Sequence, residues 1–386
     1  MLHALELSVV SPRRLDIPLP KRIFNDNAPM LHRLHLKGVH VSLSSPALFG
    51  LTHLHIEEHG DPDHESSRDS GVPQALRQLP ALESLYLANT LPIGMSYLDS
   101  SPIRLPRLQK LTLIDEGPAC TDVLGWLEIP ASCKIHLECE FYDESELEEC
   151  LPMLCGCIPA NADPFHTLSV VGVDVDEARA GLKLWRDSNI HDLHLPVDPD
   201  LFISTFCPAE SHQPANILKV MCNTLPLSDV CTIHAQHWEG VLSRDLWKRL
   251  FAKNCPKTSN ISMSKWSEVV SLCSALTTKL DDKLPARGEE EHGAVLPLDQ
   301  LFLPDLKHIS LESVNVRFRT EWNDKGSVLV SALNMRRSAG RAVSVVRLGK
   351  GCVFNAAQLR ELRDVVHVEL DPDVIVMPEA SVAGPG

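Results

Sequence analysis

The chain has 386 residues, of which 44% are hydrophobic and only 5% aromatic, and it carries a formal charge of -15. That balance excludes nucleic acid and anionic membrane surfaces as main partners, because neutralising phosphates needs clustered Lys and Arg. A leucine- and valine-rich core with few rings suits repeated thin layers better than one large globular centre.

The first element begins almost at once. Leu2-x-x-Leu5-x-Leu7 is a leucine, two variable residues, a leucine, one variable residue and a leucine. The same phrase is plainest at Leu82-x-x-Leu85-x-Leu87 and Leu108-x-x-Leu111-x-Leu113, each led in by a Leu-Pro pair. Its last two leucines alternate with polar neighbours, so they share one face of a short strand. One such strand cannot bury its apolar side alone, and copies must stack. This is the core phrase of a leucine-rich repeat. Because the chain opens inside a repeat, without a polar cap, it reads as an uncapped array or as the back part of a longer protein.

The middle-leucine place is taken in turn by Leu5, Leu34, Leu54, Leu85, Leu111, Ile135, Leu168, Leu193, Ile233, Ile261, Ile309, Val346 and Val368. The matches at Ile135, Ile261 and Val368 are the weakest. Spacing between units is uneven, against the roughly 20–29 residues of regular arrays. Three units carry a Val-x-Val tail at one offset: Val39 and Val41, Val173 and Val175, Val314 and Val316. Regular repeats place Asn or Cys where Val39, Val173 and Val314 stand, so the buried asparagine ladder is expected to be replaced by apolar packing.

Helical connectors are predicted between the strands. Ser145–Leu154 opens with Glu146 and Glu148 and presents Leu147, Leu151 and Leu154 on one face. Gly240–Asn254 groups Val241, Leu242, Leu246, Trp247 and Leu250, with Ser243 as N-cap. Lys265–Leu280 groups Trp266, Val269, Val270, Cys273, Leu276 and Leu280, and Gln358–Val366 is the last helix. Residues 59–71 and 281–293 are polar and rich in turn formers, and read as surface loops. The predicted fold is α/β, an irregular leucine-rich-repeat solenoid over residues 1–377. It has a parallel sheet on the concave face, helices and loops on the convex face, and a disordered tail at 378–386.

The residue between the last two apolar positions should face outward from the concave sheet. In order these are Glu6, His35, His55, Tyr86, Thr112, His136, Ser169, His194, His234, Ser262, Ser310, Arg347 and Glu369. Histidine is strongly over-represented there, since the whole chain has only 18. His35 with His55, and His194 with His234, belong to neighbouring units, about one strand spacing of ~5 Å apart. His35, His55, Tyr86, His136, His194, His234 and Arg347 are therefore the expected partner-binding residues, on a surface whose charge changes between about pH 5 and 7. A metal site is not expected, because no carboxylate or thiolate completes a ligand set with clear spacing.

The close group Cys133, Cys139, Cys150, Cys155 and Cys157 lacks paired C-x-x-C knuckles and reads as small core residues rather than a zinc site. His191-Asp192-x-His194 falls inside a repeat strand. No G-x-S-x-G elbow, phosphate-cradling Gly-rich loop or H-E-x-x-H helix occurs. No catalytic residue, cofactor or metal is expected, and the chain reads as a non-enzyme. The start has no basic segment leading a long apolar run, and no apolar run approaches a membrane span, so an intracellular chain, cytoplasmic or nuclear, is expected.

Laid out in this way, the sequence resembles the fungal (basidiomycete-type) F-box-associated leucine-rich-repeat proteins. The idioms that carry the resemblance are Leu19-Pro-x-x-Ile-Phe24 before Ala28-Pro-x-Leu-x-x-Leu34-x-Leu36, then Ser45-Pro46 before Leu51-Thr-His-Leu54-x-Ile56. Leu225-Pro-Leu-x-Asp-Val-x-x-Ile233, followed by Trp247-x-x-Leu250-Phe251, is similar to the same class. The resemblance implies the substrate-recognition part of a ubiquitin-ligase receptor, holding another protein on the concave face. Members begin with a three-helix F-box that docks on the Skp adaptor of a cullin-type ligase. Here the repeat phrase resumes by Leu31 and leaves no room for one, so Skp and cullin are partners only if an F-box is encoded upstream. The alternatives are a stand-alone interaction scaffold and a fragmentary gene product.

Overall fold

A computed structural model describes residues 2–9, 28–39, 45–58, 72–91, 101–159, 162–171, 179–187, 198–206, 214–235, 242–277, 301–314 and 327–378. The strands are β1 (Ala4–Ser8), β2 (Arg33–Lys37), β3 (His53–Glu57), β4 (Ser84–Ala88), β5 (Ile103–Arg104), β6 (Lys110–Glu116), β7 (Leu127–Glu128), β8 (Lys134–Glu140) and β9 (Thr167–Val171). They continue with β10 (Arg179–Trp185), β11 (Leu201–Phe206), β12 (Thr232–Ala235), β13 (Asn260–Met263), β14 (His308–Leu311), β15 (Val345–Leu348), β16 (Val353–Asn355), β17 (His367–Leu370) and β18 (Ile375–Met377). The fold is mixed α/β, built on mostly parallel strand pairing. It divides into two compact units: one holds residues up to Asp163 together with β11, the other most of the remainder.

In the first unit the strands pair in the order β1, β2, β3, β4, β6, β8, β11, all parallel. Their register stacks the apolar positions into two straight ladders. One runs Leu5, Leu34, Leu54, Leu85, Leu111, Ile135, Leu201; the other runs Leu7, Leu36, Ile56, Leu87, Leu113, Leu137, Ile203. From β2 to β11 every ladder residue is buried, whereas Leu5 and Leu7 on the edge strand β1 are half-buried. Each interior rung is covered by a neighbour on either side, so the cost of ordering a short strand is met by stacking rather than by its own length.

The helix Glu144–Cys155 is the one predicted over Ser145–Leu154. Asp143 caps it, its side chain accepting a hydrogen bond from the Glu146 N–H, and Leu147, Leu151 and Leu154 are buried. The helix Gly117–Trp126 was not predicted, because Gly117-Pro118 reads as turn punctuation. Proline in the first helical turn loses no hydrogen bond, however, and it starts this helix. Glycine at 117 is required by space, since a Cβ there would fall on the ring of Phe141, which is fully buried.

In the second unit β10 lies antiparallel beside β9, and the parallel order continues β9, β12, β13, β14, β15, β17. Leu168, Ile233, Ile261, Ile309, Val346 and Val368 form one ladder. Val170, Ala235, Met263, Leu311, Leu348 and Leu370 form the other. The edge strand β17 again stands apart, with Leu370 38% exposed.

Ser243 caps the helical segment Arg244–Ala252 as expected, accepting from the Leu246 N–H, and the segment finishes in a π turn. Leu242, Leu246, Trp247 and Leu250 are buried. Trp266–Leu276 buries Val269, Cys273 and Leu276 from the predicted face, and adds Leu272 and Ala275. Ala356–Arg363 starts two residues before its predicted position, with Asn355 and Gln358 forming a reciprocal cap. The helices Pro214–Thr224 and Ser327–Ser338 were not foreseen. From the latter, fully buried Arg336 donates to the carbonyls of Phe302 and Leu303 at 2.9 Å and of Pro304 at 3.3 Å, and burial pushes its pKa down to about 10.

A turn device recurs where the asparagine ladder was expected to be missing. Two residues after the last ladder leucine of β2, β4 and β14 stand Gly38, Asn89 and Ser313, with φ of 63°, 55° and 55°. The N–H of each reaches the carbonyl of the next rung: Glu57 at 2.8 Å, Ile114 at 2.8 Å and Lys350 at 2.9 Å. Glycine and asparagine adopt this left-handed conformation at little cost; serine pays more. Val39 and Val314 are buried just beyond it, as their tail position predicts. The expected loops 59–71 and 281–293, the segment Leu19–Phe24 and the tail from 379 lie outside the described residues. No helix among the described residues is long and apolar enough to cross a membrane.

Candidate functional site

The outward column forms in both units, because one register aligns every middle position. In the first unit it runs Glu6, His35, His55, Tyr86, Thr112, His136, Phe202. The His35 and His55 ring centroids are 3.9 Å apart, and His55 stacks on Tyr86 at 3.8 Å with planes 9° apart. The His35 ring is tilted by 49° to that of His55, and the three rings run in continuous contact across β2, β3 and β4. Thr112, expected to face solvent, is only 4% exposed: a short side chain between Tyr86 and His136 on neighbouring strands is overshadowed by them. Beyond it His136 packs edge-on against Phe202 at 4.5 Å.

Carboxylates accompany the histidines. His35 Nδ1 lies 3.5 Å from Glu6 Oε1, His55 Nε2 lies 3.7 Å from Glu57 Oε2, and His136 Nε2 is hydrogen-bonded to Glu138 Oε1 at 2.7 Å. Lys37 Nζ donates to Glu57 Oε1 at 2.7 Å, and this bond holds the Glu57 carboxyl below the usual range. The His136 partner does the same for Glu138. Burial, reinforced by the neighbouring His35, lowers the His55 pKa, and burial raises that of Tyr86. His55 is thus biased toward neutral imidazole, whose ring nitrogen can accept or ligate.

In the second unit the column runs Lys183, Ser169, His234, Ser262, Ser310, Arg347, Glu369. A cavity of about 490 Å³ lies over it, lined by His234, Ser262, Ser310, Arg347 and Glu369 together with flanking Asn260, His308, Glu312, Lys350, Asp371 and Asp373. Its wall mixes two fixed cations with four carboxylates, which suits a zwitterionic or hydrogen-bonding ligand surface such as a peptide segment. His234 is 4% exposed and sits at the floor rather than on an open face.

Of the sequence-predicted residues, the structure brings His35, His55 and Tyr86 into direct contact, and places His136 on the same face one rung beyond Thr112. His234 and Arg347 share the cavity in the second unit. His194, with His191 and Asp192, lies outside the described residues. Phe202 and Lys183 were missed because β11 and β10 carry no repeat phrase, although Leu201 and Ile203, and Leu182 and Leu184, show the alternation that betrays a strand. Glu57 and Glu138 are not marked by the repeat phrase, which singles out one outward position per strand, whereas residues two apart share a face. Cys133, Cys139, Cys150 and Cys155 are buried, in keeping with a core role, and burial pushes the thiol of half-buried Cys157 up to about 12.

The chain matches no protein-family model and no curated protein. Among solved structures it is similar to the leucine-rich repeat-containing protein LegL7 from Legionella pneumophila, at 10% identity and a TM-score of 0.31, over 90% of this chain and 84% of that one.

Proposed function

We propose that the chain is an irregular leucine-rich-repeat interaction scaffold that binds another protein on its column-bearing strand face. The observation that carries this reading is the in-register contact of the His35, His55 and Tyr86 rings, half-exposed on three adjacent strands. Rings held at strand spacing lose little conformational freedom on binding, and tyrosine and arginine are favoured anchors of interfaces. The cavity beside Arg347 supplies charged and hydrogen-bonding groups of the kind a peptide backbone and its side chains require. The scaffold is proposed to work in an intracellular setting and to carry no catalysis of its own. Its finer form, implied by the resemblance to F-box-associated proteins, is substrate recognition for a cullin-type ubiquitin ligase.

Affinity purification of the tagged full chain from its own cells, compared with the Tyr86→Ala and Arg347→Ala variants, tests both levels. A set of proteins recovered with the parent chain and lost with either variant is the expected result. Identical recovery with all three chains overturns the assigned face. Skp and cullin among the recovered proteins support the receptor role, and their absence beside other specific partners leaves the stand-alone scaffold.

A further inference from the structure

His55 and Glu57 stand two residues apart on β3 and share a strand face, and His35 on β2 is the in-register neighbour of His55. Among the described residues, one ligand atom from each of the three lies within 4.8 Å of the other two. We propose that His35, His55 and Glu57 form a zinc-type divalent metal site with a coordination position open to an added ligand.

Two imidazoles and one carboxylate are a donor set that zinc accepts while leaving a fourth position free. His35 Nε2 and His55 Nε2 are both buried and have no hydrogen-bond partner among the described residues. Glu6 Oε1 lies 3.5 Å from the other nitrogen of His35, an outer carboxylate that favours the proton on Nδ1 and leaves the Nε2 lone pair for metal. Glu57 divides its oxygens: Lys37 holds Oε1 at 2.7 Å, and Oε2 faces His55 Nε2 at 3.7 Å. A ligating carboxylate fixed by a second hydrogen bond is the usual outer arrangement of such sites. With metal–ligand bonds of about 2.0–2.2 Å, tetrahedral donor atoms sit about 3.4 Å apart. The half-exposed side chains must therefore close by about an ångström, a rotamer adjustment on strands that are themselves fixed. The Lys37 ammonium opposes the metal charge, which places the site among those of moderate affinity rather than structural zinc.

The chain contains its own comparison. His136 and Glu138 repeat the same two-residue spacing on β8, but the in-register neighbours of His136 are Thr112 and Phe202. That pair offers two donors and no third, and its atoms are already joined by a 2.7 Å hydrogen bond.

The test is titration of the metal-stripped full chain with Zn²⁺ alone, in competition with a chromophoric chelator, followed by Co²⁺ substitution. One equivalent is expected to bind saturably. His35→Ala, His55→Ala and Glu57→Gln should each weaken it by at least about 100-fold, beyond the 10–100-fold typical of outer-shell changes, with His136→Ala leaving it unchanged. The chain has 12 cysteines that also attract zinc, so the Co²⁺ spectrum decides the donor type. Visible bands without a thiolate charge-transfer band support the site, and a strong thiolate band overturns it. So does the absence of one-to-one binding, or unchanged affinity in any folded variant of the triad. The Co²⁺ spectrum of the parent chain keeps the proposal testable where a variant fails to fold. Neither measurement involves a protein partner, so failure here and failure of the scaffold reading are separate results.

Discussion

Replacing Gly117 by alanine tests how tightly the first unit is packed. The added methyl would meet the edge of the Phe141 ring, and Phe141 has no exposed surface into which it could swing. Overpacking a closed core typically costs about 1–3 kcal/mol. The helical preference of alanine over glycine returns less than about 1 kcal/mol, since residue 117 opens its helix. The expected loss for Gly117→Ala is therefore about 1–2 kcal/mol. Phe141→Leu alone should cost about 1–3 kcal/mol through the space it leaves. Together the two changes should cost less than their sum by at least about 1 kcal/mol, because the smaller side chain admits the methyl. Urea denaturation of the four chains, followed by circular dichroism, measures the coupling. Additive losses within about 0.5 kcal/mol would refute the steric argument.

The ladder register predicts a sharp contrast on one strand. Leu85→Asp, which sets a carboxylate into a fully buried rung, should cost more than about 3 kcal/mol. Tyr86→Ala, losing one ring stack, should cost under about 1.5 kcal/mol, and similar losses would sink the face assignment. Arg336→Met strips two buried carbonyls of their partner at about 1–3 kcal/mol each, partly offset by relief of the buried charge. A net loss of about 1–3 kcal/mol is expected in thermal or urea melts, and unchanged stability would show that the guanidinium contributes nothing net. Cys255 and Cys273 are fully buried thiols pushed up from 9.0 to about 12. Their folded pKa values exceed the unfolded ones, so stability is intact below pH 9 and falls as pH rises toward 12. The slope is about 1.4 kcal/mol per pH unit for each thiol. Urea midpoints measured from pH 8 to 10.5 should fall less steeply in Cys255→Ala/Cys273→Ala, and an unaltered slope would refute this.

The strand face was legible because each repeat phrase contains its own alternation. Leu34 and Leu36 flank His35 in the sequence as they do in the sheet, and even Ile135, Ile261 and Val368 fall into the ladders. The strand at Arg179–Trp185 escaped because it runs antiparallel and needs no lead-in phrase. Helices that open on Gly117-Pro118 or Pro214 were hidden by residues that elsewhere mark turns. Exposure was the least legible quantity. Thr112, Ser262 and His234 occupy outward positions yet are buried, since the neighbours that cover them arrive from other strands. The triad of His35, His55 and Glu57 needed two relations at once, a cross-strand neighbour and a residue two further along. Reading one position per strand discards the second.

The left-handed residues at Gly38, Asn89 and Ser313 separate two tasks within a repeat. Each ties its rung to the next by a backbone bond at the end of the strand, whatever follows before the chain returns. A connector can therefore be lengthened, or exchanged for a helix of another size, while the rung it serves keeps its place, because extending a loop adds only slowly to its closure cost. Alignment is conserved by a few backbone atoms, and the intervening sequence is free to diversify unit by unit.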